Sequence, residues 1–137
     1  VEQHVQYDPG RFSMFATRTG AADFYRERIS DPRSAVIVAE IDDVVCGFAF
    51  LSYVERDYAE MLEGGAWLHD LYIDARFRSR GLGSSILNEA ISAAREMQAE
   101  KLVLTVAAKN SIARDFFERS GFRPTMMEMT LDLVDIL

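Results

Sequence analysis

The sequence predicts an α+β domain built on one mixed, mostly antiparallel sheet of about five or six strands flanked by helices. Five apolar runs have the length and composition of β-strands. Between the third and the fourth run, apolar residues recur at three- and four-residue spacing, which is typical of an amphipathic helix. A strand, a helix and a strand in this order predict a right-handed parallel crossover. No linker or repeat interrupts the chain, so we expect residues 1–137 to form a single domain.

The first part of the chain is expected to be helical. Residues 12–29 carry apolar residues at helical spacing, and Gly20 divides them into two short helices. Asp31-Pro32 ends the second helix, because the residue before a proline disfavours the helical conformation.

A hairpin and a third strand follow. The β-branched run 35–41 and the apolar run 44–54 are separated by Asp42-Asp43, which fits a tight turn. The acidic connection 55–65 ends in two glycines and leads to the third strand, 66–73.

The next two elements form the predicted crossover. Residues 81–84, Gly-Leu-Gly-Ser, open an amphipathic helix that is expected to end near Glu100. The nearly continuous apolar run 101–108 is typical of a strand that is covered on both faces.

The chain is expected to close with a second helix and a last strand. Asn110 is a good N-cap for this helix, and Gly121 is placed to end it in the left-handed conformation. Residues 126–133 predict the final strand.

Composition restricts the class of partner and the compartment. The 15 Lys+Arg and 22 Asp+Glu give a net charge of −7, which argues against a nucleic-acid partner and leaves a cationic small molecule or peptide open. No apolar run approaches the roughly 20 residues that span a bilayer, and no signal segment is visible, so no membrane partner is expected. The single cysteine, Cys46, excludes an internal disulfide and is expected to be a buried structural thiol, which favours a reducing, cytoplasmic location.

The segment 76–84 combines three arginines and two glycines between a strand and a helix. Glycines permit a left-handed backbone, successive N–H groups form a concave nest, and the helix start adds about half a positive charge. The pattern therefore predicts an anion site that suits a diphosphate. A plain glycine-rich helix start with solvated arginines is the open alternative, and the fingerprints of dinucleotide and P-loop sites are absent.

A second pattern lies on the next helix. It consists of Asn110, Ala113, Phe116-Phe117 and Gly121-Phe122. Together with Arg78-x-x-Gly81-x-Gly83, this pattern resembles the acetyl-CoA-binding core of the GNAT family of N-acetyltransferases, over about residues 67–133. The resemblance implies transfer of an acetyl group from acetyl-CoA to a primary amine by direct attack in a ternary complex, with neither an acyl-enzyme nor a metal.

The resemblance also implies a set of cofactor-binding residues. Backbone groups of 71–73 would contact the pantetheine arm where a central parallel strand pair splays apart, and the backbone of 79–84 would hold the diphosphate. Asn110 would contact the pantetheine region, and Phe117 would lie beside the sulfur. A plain helix cap and a core aromatic are the open alternatives for these two side chains. The implied cofactor residues are Leu71, Tyr72, Ile73, Arg78, Ser79, Arg80, Gly81, Leu82, Gly83, Ser84, Asn110 and Phe117.

The acid–base groups depart from the family pattern. Many members carry a tyrosine acid where Phe117 stands, and several carry a glutamate base where Thr105 stands. His69, whose side-chain type titrates near pH 6.5, is therefore the first candidate base. Asp70 is a candidate for orienting an ammonium group, and Tyr72 for donating a proton. A packed or solvated histidine and a core tyrosine are the alternatives.

The acceptor is expected to be a small-molecule amine such as a diamine, or a peptide or protein amine. Glu55 and Asp57 of the acidic connection, with Asp70, are the candidate substrate residues, although a merely solvated loop is the alternative. The missing tyrosine and glutamate favour a second hypothesis, in which the domain is a catalytically reduced acyl-CoA-binding sensor or scaffold. By analogy with the family, edge strands also suggest a homodimer.

Overall fold

The computed structural model of the protein describes residues 32–55, 64–78 and 81–134. Contacts between Cα atoms divide the chain into two compact units, and the division falls between Thr105 and Val106 in the described part. Each unit is described by itself. The helices predicted over 12–29 lie outside the described residues, and the single domain over residues 1–137 stays a prediction.

The first unit contains a mixed and mostly antiparallel sheet, as predicted. The strands are β1 (Ser34–Ile41), β2 (Val44–Val54), β3 (Gly65–Ile73) and β4 (Leu102–Val103). They lie in the order β1-β2-β3-β4, with antiparallel pairing from β1 to β3 and parallel pairing between β3 and β4. The described residues thus hold four strands of the expected sheet.

The turn between β1 and β2 forms where it was predicted. Asp42 and Asp43 have φ angles of 52° and 65°. Two successive left-handed residues form a turn whose twist matches that of the flanking strands, and aspartate tolerates this conformation better than most residues.

Helix α1 (Leu82–Glu96) packs on the sheet against β1, β2 and β3. Its buried face consists of Ile86, Leu87, Ala90 and Ala94. The helix ends four residues before the expected end at Glu100, because Gln98 is left-handed with φ 61°. The N–H groups of Gln98 and Ala99 then donate to the carbonyls of Arg95 and Ala94 at 2.9 and 3.1 Å, which closes the helix in a Schellman motif.

Strand β4 is much shorter than its apolar run predicted. It pairs with β3 only through Ala66 with Leu102 and Trp67 with Val103. The run continues to Ala108, but no ladder forms beyond Val103 in the described part of the sheet. The parallel pair therefore ends while β3 continues to Ile73.

The second unit contains helix α2 (Ser111–Arg119), whose two predicted ends are confirmed. The side chain of Asn110 accepts a hydrogen bond from the N–H of Ala113 at 3.1 Å. Gly121 has φ 104°. Its N–H and that of Phe122 donate to carbonyls of the last turn, so this helix also ends in a Schellman motif.

The strand predicted over 126–133 was wrong, because the structure assigns no strand from 122 to 134. Apolar residues alternate with polar ones in this segment, and the side chains of Met127, Met129, Leu131 and Leu133 are all at least 82% exposed. Alternation establishes strand propensity, but a strand also needs a neighbour for its backbone hydrogen bonds. No strand among the described residues pairs with this segment. In the part of the chain that the structure describes, no helix is long and apolar enough to cross a membrane.

Candidate active site

A β-bulge in β3 determines which side chains face the same way. Phe50 lies opposite Asp70, and the next residue of β2, Leu51, lies opposite Leu68. His69 is therefore an extra residue on β3. Bulges re-aim side chains in this way and are common beside active sites.

The bulge brings the three predicted catalytic residues onto one face of the sheet. Tyr72 and Asp70 lie opposite Phe48 and Phe50, and residues that face each other across an antiparallel pair point to the same side. The rings of Phe48 and Tyr72 confirm this, since their centroids are 5.9 Å apart. The ring of His69 lies against Phe50 on the same side, with 5.1 Å between centroids and 26° between planes. Helix α1 covers the other face, where a Cβ at Gly47 would lie 3.0 Å from Cδ1 of Ile86.

His69 has a second partner that sequence reasoning missed. Its Nε2 lies 2.7 Å from the hydroxyl oxygen of Ser52, which is on β2. Ser52 stands opposite Trp67. It is two residues from Phe50 along β2, so the two side chains belong to the same face. The alternation of β2 already placed Ser52 two residues from Phe50, but only the bulge brings the His69 ring to it.

The edge of β3 beside the site has the form that a pantetheine arm needs. Beyond Trp67, no strand of the described residues pairs with the β4 side of β3. A ligand chain can therefore form strand-like hydrogen bonds there with the backbone of 71–73. The role that the resemblance implied for Leu71, Tyr72 and Ile73 stays a prediction.

The turn after β3 is tightly built. Asp74 caps a 3₁₀ turn, Ala75–Phe77, and its N–H donates to the carbonyl of Cys46 at 2.8 Å. Nε and Nη2 of Arg76 donate to the two carboxylate oxygens of Asp74, both at 3.1 Å. These hydrogen bonds, followed by one from the backbone N–H of Arg76, lower the pKa of Asp74, and the pair raises the pKa of Arg76.

The two described arginines of the predicted anion site therefore differ. Arg76 is paired with Asp74, which offsets its charge. Arg78 is exposed, and its Nε donates to the carbonyl of Ile73 at 3.2 Å, which ties the side chain to the end of β3. Ser79 and Arg80 lie outside the described residues.

The start of α1 has the properties of an anion site. Gly81 is the N-cap with φ 76°. Among the residues that the structure describes, no side chain caps the helix and nothing lies within 4 Å of where a Cβ at Gly81 would be. The first helical hydrogen bond runs from the N–H of Ser85 to Gly81. The N–H groups of the first turn, which belong to Leu82, Gly83 and Ser84, have no partner within the helix and point toward its positive end.

Glu55 and Asp70, two of the three predicted substrate residues, lie apart on the sheet. Glu55 forms an ion pair with Arg33, whose guanidinium carbon lies 3.6 Å from the centre of the Tyr53 ring. Glu55 follows the end of β2 that pairs with the start of β3, whereas Asp70 lies toward the other end. The roles of both residues toward a substrate stay predictions. Asp57 lies outside the described residues.

Two implied cofactor residues belong to the second unit. Asn110 caps α2 through its side-chain oxygen, as described above. Phe117 is half-buried, and its ring lies edge-on to Phe116 and Phe122 with centroids 5.2 and 5.5 Å away. Both residues thus have clear structural roles within their unit, and their roles toward a cofactor stay predictions.

The described residues thus combine a mixed sheet whose parallel pair ends early with a glycine-led helix between the two parallel strands, an arrangement that suits an acyltransferase using acyl-CoA. Residues 4–122 match the acetyltransferase (GNAT) family, and the chain belongs to this family. Acetyl-CoA is the co-substrate of GNAT enzymes, and the described turn and strand edge fit its diphosphate and pantetheine groups.

Relatives of known sequence carry the same family name. An uncharacterized N-acetyltransferase of Methanocaldococcus jannaschii is 32% identical over 80 residues, which are 58% of this chain and 32% of that protein. The chain thus matches about a third of that relative's length. A putative [ribosomal protein bS18]-alanine N-acetyltransferase of Bacillus subtilis is 24% identical over 112 residues, 82% of this chain and 69% of that protein.

Solved structures show the same fold. Aminoglycoside N-acetyltransferase AAC(6')-Iy in complex with CoA matches with a TM-score of 0.75 and 18% identity, over 94% of this chain and 82% of that one. An apo aminoglycoside 6'-N-acetyltransferase from Acinetobacter haemolyticus matches with a TM-score of 0.72 and 13% identity, over 88% and 83% of the two chains.

Proposed function

We propose that this protein transfers the acetyl group of acetyl-CoA to a primary amine, by direct attack of the amine in a ternary complex. The amine belongs to a small molecule such as a diamine, or to a peptide or protein. The observation that carries the proposal is the shared face of His69, Asp70 and Tyr72 on β3, whose edge beyond Trp67 pairs with no strand of the described residues.

Binding of the co-substrate uses mainly backbone groups. The edge of β3 at 71–73 would hold the pantetheine arm, and the uncapped N–H groups at the start of α1 would hold the diphosphate. Arg78 adds a positive charge at the same place. Acetyl-CoA supplies an acetyl group that is activated as a thioester.

The chain's own residues move the protons. A lysine-like amine of pKa about 10.4 needs about 4.6 kcal/mol to become neutral at pH 7, so a nearby base is useful. Asp70 orients the incoming ammonium, and His69 takes one proton from it, which frees the nitrogen lone pair. The neutral nitrogen then bonds to the carbonyl carbon, and the carbon–sulfur bond breaks. Tyr72, on the same face, donates its proton to the leaving thiolate, which would otherwise depart at a cost of about 2 kcal/mol at pH 7. The proton that leaves the new amide nitrogen returns to the Tyr72 oxygen, and His69 releases its proton to water.

Calorimetry with acetyl-CoA and a turnover assay on an amine panel test this proposal. We expect saturable binding of acetyl-CoA and release of free thiol with at least one amine. A His69→Gln variant should bind acetyl-CoA normally while turnover falls by about 10²- to 10⁴-fold. A folded protein that binds no acetyl-CoA at millimolar concentration would overturn the proposal.

Phe117 and Thr105 favour a second function, because they replace the tyrosine and the glutamate that many family members use. In this case the domain binds acyl-CoA as a sensor or scaffold without catalysis. The same amine panel separates the two functions, since tight binding without turnover on any amine supports the sensor and turnover on one amine excludes it.

A cytoplasmic location and a homodimer complete the proposal. The location is supported by the single cysteine, Cys46, which is fully buried as a thiol and donates to the carbonyl of Ala39 at 3.3 Å. Cell fractionation and light scattering test the two points.

A further inference from the structure

We propose that Ser52 is a positioning residue for His69 and increases its strength as a base. This inference rests on the proposed function, in which His69 accepts the proton of the attacking amine. It concerns a residue on a different strand, which the family pattern and the catalytic sequence motifs leave out.

The first step of the argument is the geometry of the ring. The hydroxyl oxygen of Ser52 lies 2.7 Å from Nε2, which is a short distance for a hydrogen bond between nitrogen and oxygen. Phe50 stacks on the ring, and its own side chain is only 1% exposed. Stacking on Phe50 fixes the plane of the imidazole ring, and the hydrogen bond to Ser52 fixes the direction in which Nε2 points within that plane. Together they hold an exposed histidine in one orientation.

The second step is the register that makes this contact possible. His69 is the extra residue of the bulge, and Ser52 stands opposite Trp67, two positions before the bulge along β3. In a regular strand, His69 would point to the face covered by α1, away from Ser52. The bulge and Ser52 are thus two parts of one arrangement.

The third step is the chemistry of the contact. A serine hydroxyl both donates and accepts, so it can bond to either neutral tautomer of the ring. Because Nε2 faces Ser52, the amine proton goes to Nδ1 of the tautomer whose Nε2 already carries hydrogen, and the Ser52 oxygen then accepts a charge-assisted hydrogen bond from Nε2. The contact therefore stabilises the protonated ring more than the neutral one. On this face the other titratable groups of the described strands include Asp70 and Tyr72 on β3 and Glu40 on β1, while Phe50 and Ser52 are the contacts from β2.

Kinetics of Ser52→Ala in the full chain test this role. We expect kcat to fall about 5- to 10-fold, with the KM for acetyl-CoA unchanged. The acidic limb of the pH–rate profile should move to lower pH by about half a unit to one unit, because the protonated ring loses its partner. Ser52→Thr keeps the hydroxyl and should restore the profile. Ser92→Ala, on the exposed side of α1, is the matched control and should match the wild type.

A second readout does not depend on turnover. The chain has two histidines, His4 and His69, so the imidazole nitrogen signals of His69 are assigned by their loss in His69→Gln. We expect Ser52→Ala to shift the Nε2 signal and its pH titration, and Ser52→Thr to leave them near the wild type. Unchanged signals in Ser52→Ala would overturn the proposal.

Combining the substitutions separates this proposal from the function on which it rests. In a His69→Gln background, Ser52→Ala should cause no further loss, because Ser52 acts through His69. An equal loss in both backgrounds would overturn the positioning role. If His69→Gln retains full turnover, His69 is not the base, and that part of the proposed function fails. A nuclear magnetic resonance shift in Ser52→Ala would then show a structural contact only. This result also overturns the positioning role of Ser52.

Discussion

Gly47 on β2 lies beside the backbone of Tyr72 on the neighbouring strand β3, and a Cβ at this glycine would be only 2.7 Å from the Tyr72 carbonyl oxygen. The same Cβ would lie 2.9 Å from Cδ1 of Ile73 and 3.0 Å from Cδ1 of Ile86. Gly47 therefore sits where the cofactor end of β3 and helix α1 both approach β2. The absence of a side chain lets these two parts of the site come together.

Gly47→Ala should consequently harm both stability and cofactor binding. A backbone oxygen cannot rotate away as a side chain can, so the end of β3 must shift. We expect a loss of about 1–3 kcal/mol in the free energy of unfolding and a several-fold rise in the Kd for acetyl-CoA. Chemical denaturation and calorimetry measure the two effects.

Gly65→Ala provides the matched control for this variant. Gly65 begins β3, and a Cβ there would lie 3.2 Å from the Lys101 carbonyl oxygen. It stands at the opposite end of β3 from the cofactor edge, so we expect some loss of stability with an unchanged Kd for acetyl-CoA. A normal Kd in Gly47→Ala would show that the end of β3 does not set cofactor affinity.

Much of the local structure could be predicted from the sequence because it depends on nearby residues. The Asp42-Asp43 turn, the Asn110 cap and the left-handed Gly121 each follow from the backbone preferences of one or two residues. The Asp74–Arg76 pair is equally local, and a two-residue spacing could have indicated it.

The features that were missed depend on distant partners. Strict alternation would have put His69 with Leu71, and only the register between β2 and β3 shows that it faces Phe50 instead. The ion pair of Glu55 with Arg33 joins residues 22 positions apart, which no spacing rule detects. The strand expected over 126–133 failed for the same reason, since its apolar alternation says nothing about a neighbour.

The pair of Asp74 and Arg76 should make folding stability depend on pH in the acidic range. The pKa of Asp74 is lowered in the folded protein, chiefly by the Arg76 side chain, so the unfolded chain binds this proton first as the pH falls. The stabilisation is complete above the ordinary pKa of about 3.9 and is lost as the pH falls through the lower folded value.

Urea unfolding of the wild type and of Asp74→Asn tests this pH dependence. The measurements run from roughly pH 2.5 to roughly pH 6, on either side of the ordinary aspartate pKa. Asparagine keeps an oxygen that can cap the 3₁₀ turn but does not titrate. We expect the wild type to be the more stable protein at the upper end and the difference to shrink toward the lower end. A difference that stays constant with pH would contradict the assignment.

Asn110 allows its cap and its implied cofactor role to be separated. Its Oδ1 accepts from the Ala113 N–H, while the amide nitrogen is the group that could donate to a ligand. Asn110→Ala removes both, and we expect a loss of about 1 kcal/mol in unfolding free energy together with weaker acetyl-CoA binding.

Asn110→Asp keeps the capping oxygen and removes the donor. We expect near wild-type stability, because aspartate caps helices as well as asparagine does, and a clear rise in the Kd for acetyl-CoA. If Asn110→Asp binds acetyl-CoA as the wild type does, Asn110 is a helix cap only. Thermal unfolding and calorimetry on the same samples give both answers.

Gly83→Glu tests where the diphosphate lies. Gly83 is in the first turn of α1, where a glutamate improves helix propensity and interacts well with the positive helix end. We therefore expect the variant to be folded and at least as stable as the wild type. Its carboxylate would stand beside the diphosphate. Two like charges about 4 Å apart near a protein surface cost about 4 kcal/mol, so acetyl-CoA affinity should fall by a hundredfold or more.

Gly83→Gln adds nearly the same volume without the charge and should retain most of the affinity. Equal losses in the two variants would mean that bulk rather than charge is responsible, and normal binding by Gly83→Glu would place the diphosphate away from this helix start.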